Sequence, residues 1–136
     1  MRIMAVDYGD ARTGVAVSDA SASLAGETWV ISERGQKVVA DKLANAAAER
    51  GVGLIVVGYP KNMDGTVGPR AAVSESLAAL IREKSGAEVV LWDERMTTMS
   101  AHRILSETGV SGKKRKKKID AVAASIILES YLRSRI

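Results

Sequence analysis

Residues 2–19 read Arg2-Ile3-Met4-Ala5-Val6-Asp7-Tyr8-Gly9-Asp10-Ala11-Arg12-Thr13-Gly14-Val15-Ala16-Val17-Ser18-Asp19. Two short β-type runs, 2–7 and 13–19, flank a turn-rich segment containing Gly9, the pattern of an antiparallel hairpin. The first run is apolar enough to be buried, yet it ends on Asp7. A charge at the tip of a core strand costs free energy unless a partner compensates it, so Asp7 is the first candidate functional residue. Its plainer reading is a turn-initiating aspartate that bonds the following backbone.

Working outward, Thr28-Trp29-Val30-Ile31 continues the meander, and Val39, Leu43, Ala46 and Ala47 mark a helix that Gly51 closes. Leu54-Ile55-Val56-Val57 is a continuous apolar run, as expected of a parallel strand covered on both faces. A long loop, Tyr59 to Pro69, precedes a second helix on Val73, Leu77, Leu80 and Ile81 that ends at Gly86, and Glu88 to Trp92 form a fifth strand. Helices are then expected from about Thr97 to Glu107 and from about Ile119 to Arg133, with a basic segment between them. The order βββαβαβαα predicts an α/β fold: a mixed five-stranded sheet, three antiparallel and then two parallel strands, with helices on both faces. Ligands of such sheets bind beyond the carboxyl ends of the parallel strands, where Asp7 and Glu94 both fall.

At 136 residues the chain has the size of one domain, 1–136, with 46% hydrophobic and 26% charged residues. No apolar run reaches the roughly 18 residues of a membrane span, and Met1-Arg2-Ile3 leads into a strand without a signal-peptide pattern. No membrane partner is expected. There is no cysteine and a single histidine, His102, so a thiolate or histidine zinc site is disfavoured. His102 reads as an ordinary helix residue, and Met63, Met96 and Met99 as packing residues. Any metal should be hard and oxygen-bound, Mg²⁺ or Mn²⁺. The net charge of +4 is local in origin: Lys113, Lys114, Arg115, Lys116, Lys117 and Lys118 form one run, and the remainder of the chain is net negative. Such a run suits a phosphate backbone or an anionic surface. Its expected conformation is a solvated, mobile loop.

Three acids stand at the tips of core elements: Asp7, Glu94 and Asp120. Asp120 shares a helical face with Ala123, Ala124, Ile127 and Tyr131, and small Ala123 and Ala124 would let that face approach the sheet. The plainer reading of Asp120 is a helix N-cap, and that of Asp93-Glu94-Arg95 a solvated cluster at a strand end. Alternation puts Asp93 and Glu94 on opposite sides, so one of the two faces the site. Like charges about 4 Å apart repel by about 1 kcal/mol in water and roughly 4 at an effective dielectric near 20, so three converging acids require a cation. Arg12 and Arg95 could hold phosphate oxygens or pair with Asp10 and Asp93. Tyr8 and Tyr59 are the best candidates to stack on a base.

Four stretches together resemble the YqgF/RuvX family. They are Asp7-Tyr8-Gly9 with Arg12 and Gly14; Gly58-Tyr59-Pro60 through Asn62-Met63-Asp64-Gly65; Asp93-Glu94-Arg95-Met96-Thr97-Thr98; and Lys116-Lys117-Lys118-Ile119-Asp120 with Ala123-Ala124. The resemblance runs nearly end to end, with Tyr59 standing where many relatives carry an aliphatic residue. It implies an RNase H-like fold and a Mg²⁺- or Mn²⁺-dependent phosphodiesterase whose metal acids are Asp7, Glu94 and Asp120, and it favours Glu94 over Asp93. Arg12, Arg95 and the Lys113 to Lys118 run would then hold nucleic acid, with Tyr8, Gly9, Asn62, Asp64 and Gly65 as supporting loop. The implied substrate is structured RNA, the 5′ end of pre-16S rRNA in ribosome biogenesis, on pre-ribosomal particles in the cytoplasm. Branched DNA, as cut by Holliday-junction-resolvase-like proteins, and a non-catalytic nucleic-acid-binding module are the alternatives. Monomer and homodimer both stay open. An ATP-binding protein of the actin/sugar-kinase type would need two such domains, and the chain has no Gly-x-x-x-x-Gly-Lys-[Ser/Thr] loop.

Overall fold

The computed structural model describes residues 1–60, 64–93 and 112–135, the stretch 112–119 by its backbone. Five strands form one sheet: β1 (Arg2–Tyr8), β2 (Thr13–Ser18), β3 (Ala25–Ile31), β4 (Val52–Tyr59) and β5 (Glu88–Asp93). Their spatial order is β3-β2-β1-β4-β5. The β1–β2 and β2–β3 pairs are antiparallel, whereas β4 pairs parallel with both β1 and β5. The expected mixed sheet is therefore present. β3 starts at Ala25, ahead of the expected Thr28, because Ala25 and Glu27 extend the ladder to Ser18 and Val17 across a register shift.

Among the described residues three helices cover the sheet: α1 (Gln36–Arg50), α2 (Pro69–Ser85) and α3 (Gly112–Ser134). Gly51 and Gly86 end α1 and α2 in the left-handed region, at φ 66° and 68°. There a residue without Cβ avoids the steric cost of positive φ. Strand alternation then sorts the core into two layers. Met4, Val6, Ile55 and Val57 pack with α1 and α2 through Leu43, Leu77 and Ile81. Ile3, Ala5, Leu54 and Val56 pack with α3 through Ala124, Ile127, Leu128 and Leu132. With both faces covered, each fully buried Leu or Ile contributes about 1.5–3 kcal/mol relative to exposure. This explains why β4 reads as an unbroken apolar run.

The largest departure from the sequence reading concerns the basic segment. The backbone from Gly112 onward is already helical, so Lys113 to Lys118 form the opening turns of α3 and not a mobile loop. Lysine and arginine are good helix formers, and a helix that exists downstream extends through them without a new nucleation step. Asp120 consequently lies inside α3 and is not its N-cap. The helix expected at 97–107, with His102 and Met99, falls outside the described residues. Among the described residues no helix is long and apolar enough to cross a membrane.

Candidate active site

β1 carries Asp7 next to last, on the face of Ile3 and Ala5, the face that α3 covers. In the ladder Asp7 lies directly opposite Gly14. A Cβ built on Gly14 would sit 1.9 Å from the main-chain oxygen of Asp120 and 2.5 Å from its carbonyl carbon. No side chain tolerates that distance, so α3 rests on the bare backbone of β2 at this point. The closest approach of helix to hairpin thus brings Asp120 over the residue paired with Asp7. The sequence reading credited the approach to Ala123 and Ala124. Both are indeed buried, but the position that must lack a side chain is Gly14.

The turn linking β1 to β2 is also tight, since a Cβ on Gly9 would meet the carbonyl oxygen of Arg12 at 2.5 Å. It delivers Arg12 to the same side: its Nε–H donates to Asp120 Oδ2 at 3.2 Å, with the two side chains 29% and 24% exposed. Where pairing of Arg12 with Asp10 was the plainer expectation, its partner is an acid 108 positions away in the chain. At a half-exposed site such a pair contributes little to stability. It does place a positive charge on a carboxylate expected to hold a cation.

Glu94 and Arg95 lie outside the described residues, as do Lys61, Asn62, Met63 and Met96 and the side chains of Lys113 to Lys118. Among the described residues no group of three or more His, Cys, Asp or Glu side chains could hold a metal. The Asp120 backbone lies over Gly14, the ladder partner of Asp7, and carboxylates such as these two fit the expected group. Carboxylate oxygens are hard donors, and Mg²⁺ is commonly held by one or two of them, with substrate phosphate and water completing the shell. Asp93 is set aside by parity. It pairs with Tyr59 on the face of Val89 and Leu91, opposite to Asp7.

Asp64 and Gly65 of the expected supporting loop form a turn. Asp64 Oδ1 accepts from the Thr66 backbone N–H at 3.0 Å and from its hydroxyl at 2.7 Å, and Gly65 has φ 89°, so this tip is a self-capped turn. Tyr59 is buried and its hydroxyl donates to Glu75. That bond to a carboxylate raises the phenol pKa above its ordinary value of 10.0, and burial adds to the shift. Tyr59 is therefore not a stacking surface. Tyr8 is half-buried on the α2 face, and with Asp10, Pro60, Arg70, Val73 and Ser74 it lines a pocket of about 250 Å³. Sequence reasoning missed Arg70. The available signal was a cation in the second position of a helix opened by Pro69, where the helix dipole favours an anion.

The same architecture occurs in solved structures. A structure of RuvC from Thermus thermophilus superposes with a TM-score of 0.58 at 12% identity, over 99% of this chain and 96% of that one. The Holliday junction resolvase of fowlpox virus gives 0.59 at 16% identity over the whole of both chains. At these identities the likeness defines the class of fold, the RNase H-like fold of RuvC-type resolvases. The family is narrower. The model described as "RuvX: Holliday junction resolvase" matches residues 1–134, and the chain belongs to that family. Proteins described as "Putative pre-16S rRNA nuclease" from Geobacillus thermodenitrificans and Geobacillus kaustophilus are 49% and 50% identical to it, each aligned over 99% of both chains.

Proposed function

We propose that this protein is a metal-dependent endonuclease that hydrolyses phosphodiester bonds of structured RNA, in the maturation of the 5′ end of pre-16S rRNA in the cytoplasm. The observation that supports the reading is the contact of the Asp120 backbone with Gly14, the ladder partner of Asp7, at the carboxyl edge of the sheet. Asp7 and Asp120 would hold Mg²⁺ or Mn²⁺. Glu94 is the third acid of this reading, on the family resemblance that favours it over Asp93. A bound divalent ion would supply Lewis-acid stabilisation of phosphate charge and water activation. The protein's own groups do the remainder: the carboxylates fix position, Arg12 neutralises developing charge on the phosphate, and the basic turns of α3 draw in the backbone.

The description of the Geobacillus relatives supports an rRNA precursor as substrate, and the RuvC-type fold supports branched DNA as the second reading, because fold alone does not select a substrate. Cleavage of a structured pre-16S 5′ leader and of a four-way DNA junction, each with and without Mg²⁺, tests both. Wild type is expected to cut the RNA only with the divalent ion, and Asp7→Asn is expected to be inactive. Equal cleavage by wild type and Asp7→Asn would end the metal-acid reading, and junction cleavage without RNA cleavage would reverse the order of substrates.

A further inference from the structure

The pocket on the α2 face begins at Tyr8, one residue along β1 from Asp7 and on the other face of the strand. Tyr8, adjacent in sequence to Asp7, points with Met4 and Val6 toward α1 and α2, and it shares the pocket with Arg70 and Asp10. Arg70 is exposed in the first turn of α2 and has no ion pair among the described residues. That turn contains no acidic residue and its N-cap, Gly68, supplies no side-chain hydrogen bond. A cation at a helix N-terminus opposes the helix dipole unless an anion joins both. The pocket thus combines a guanidinium and a helix start for an anion, a half-exposed aromatic ring, and in Asp10 an acceptor for a sugar hydroxyl or base N–H.

We propose that this pocket binds one unpaired nucleotide of the substrate strand next to the bond that is cut, with its phosphate on Arg70 and its base against Tyr8. The proposal deepens the nuclease reading and rests on it. Size supports a single unit: about 250 Å³ is smaller than the roughly 300–1,000 Å³ of pockets for drug-sized ligands. A paired base cannot enter, because its faces are covered by its neighbours in the stack. Tyr8 is also the one described tyrosine at this edge able to present a ring, since Tyr59 is buried against Glu75. The substrate class then sharpens from structured RNA to RNA with an unpaired nucleotide at the cleavage position, a bulge or a single-stranded flank.

The test is binding of a fluorescently labelled single-stranded RNA hexanucleotide, and of the same strand in a blunt duplex, to the full chain in EDTA. Arg70→Ala and Tyr8→Leu are each expected to weaken single-strand binding about tenfold, the scale of one lost stacking or phosphate contact, and to leave duplex binding unchanged. Tyr8→Phe, which retains the ring, should bind as wild type and exclude a folding defect. Unchanged single-strand affinity in both Arg70→Ala and Tyr8→Leu, or an equal loss on duplex, would overturn the pocket. Asp7→Asn should bind the hexanucleotide normally while losing cleavage. Failure of the nuclease reading therefore shows in the cleavage assay, and failure of the pocket shows in binding.

Discussion

The two faces of the sheet's carboxyl edge are built on opposite plans. On the α3 face the helix lies directly on strand backbone at Gly14, and Arg12 pairs with Asp120 beside that contact. On the α2 face, reached by stepping one residue from Asp7 to Tyr8, the packing opens into a pocket with an arginine at its rim. Strand alternation makes this division possible, because neighbouring residues serve different chambers. A face that must hold like charges close together needs rigid backbone contact. A face that must accept a flexible strand needs room.

The contrast breaks most severely at Gly14. Gly14→Ala forces a methyl into the Asp120 carbonyl, backbone against backbone, and should cost about 3 kcal/mol of unfolding free energy, measured by urea denaturation. Gly53→Ala is the control. Its Cβ would also sit close to another group, at 2.1 Å, but that group is the flexible Met1 side chain, which can move away. A similar loss in both would show that backbone contact is not what matters at Gly14.

Arg12→Ala separates charge from packing on the α3 face. Its pair with Asp120 is partly exposed, so stability should fall by less than about 1 kcal/mol. Mn²⁺ affinity should rise severalfold, because a competing positive charge is removed, while cleavage falls for want of the guanidinium. Weaker metal binding in this variant would mean that Arg12 orients Asp120 for the cation and does not compete with it.

Salt dependence distinguishes the two faces more gently. If the opening turns of α3 contact about four phosphates, log K against log salt should slope near −2.8 for a single strand and about −3.6 for a B-form duplex. Replacing Lys116 and Lys117 by Gln should reduce the slope by about 1.4 to 1.8, whereas Tyr8→Leu should lower affinity without changing the slope. The smallest effect is expected at Tyr59, whose hydroxyl ties the end of β4 to Glu75 of α2. Its raised pKa means that this stabilisation is fully present below the unfolded value of 10.0 and is lost as pH rises through the folded one. Tyr59→Phe should lower stability slightly at neutral pH and remove this residue's share of the alkaline loss expected in thermal melts of wild type.

The architecture was legible because it rests on local signals. Unbroken apolar runs gave β1 and β4, and Gly51 and Gly86 marked the ends of α1 and α2. The position of Asp7 at a core strand tip was legible for the same reason. The contact of Asp120 with Gly14, the Arg12 pair and the rim position of Arg70 were not, since each joins residues that only tertiary packing brings together. The Lys113 to Lys118 run misled because charge density suggests solvation, whereas the long aliphatic stems of lysine and arginine favour a helix. That error has a structural consequence. The backbone of this run is continuous with the helix that carries Asp120 and rises about 1.5 Å per residue toward it.

Whether Asp7 and Asp120 share one hard cation is tested most directly by titrating metal-free protein with Mn²⁺ and following the free ion by electron paramagnetic resonance. Wild type should show a site that either Asp7→Asn or Asp120→Asn weakens by at least about tenfold, as expected when one of a few carboxylate ligands is lost. Unchanged Mn²⁺ affinity in both variants would contradict the account.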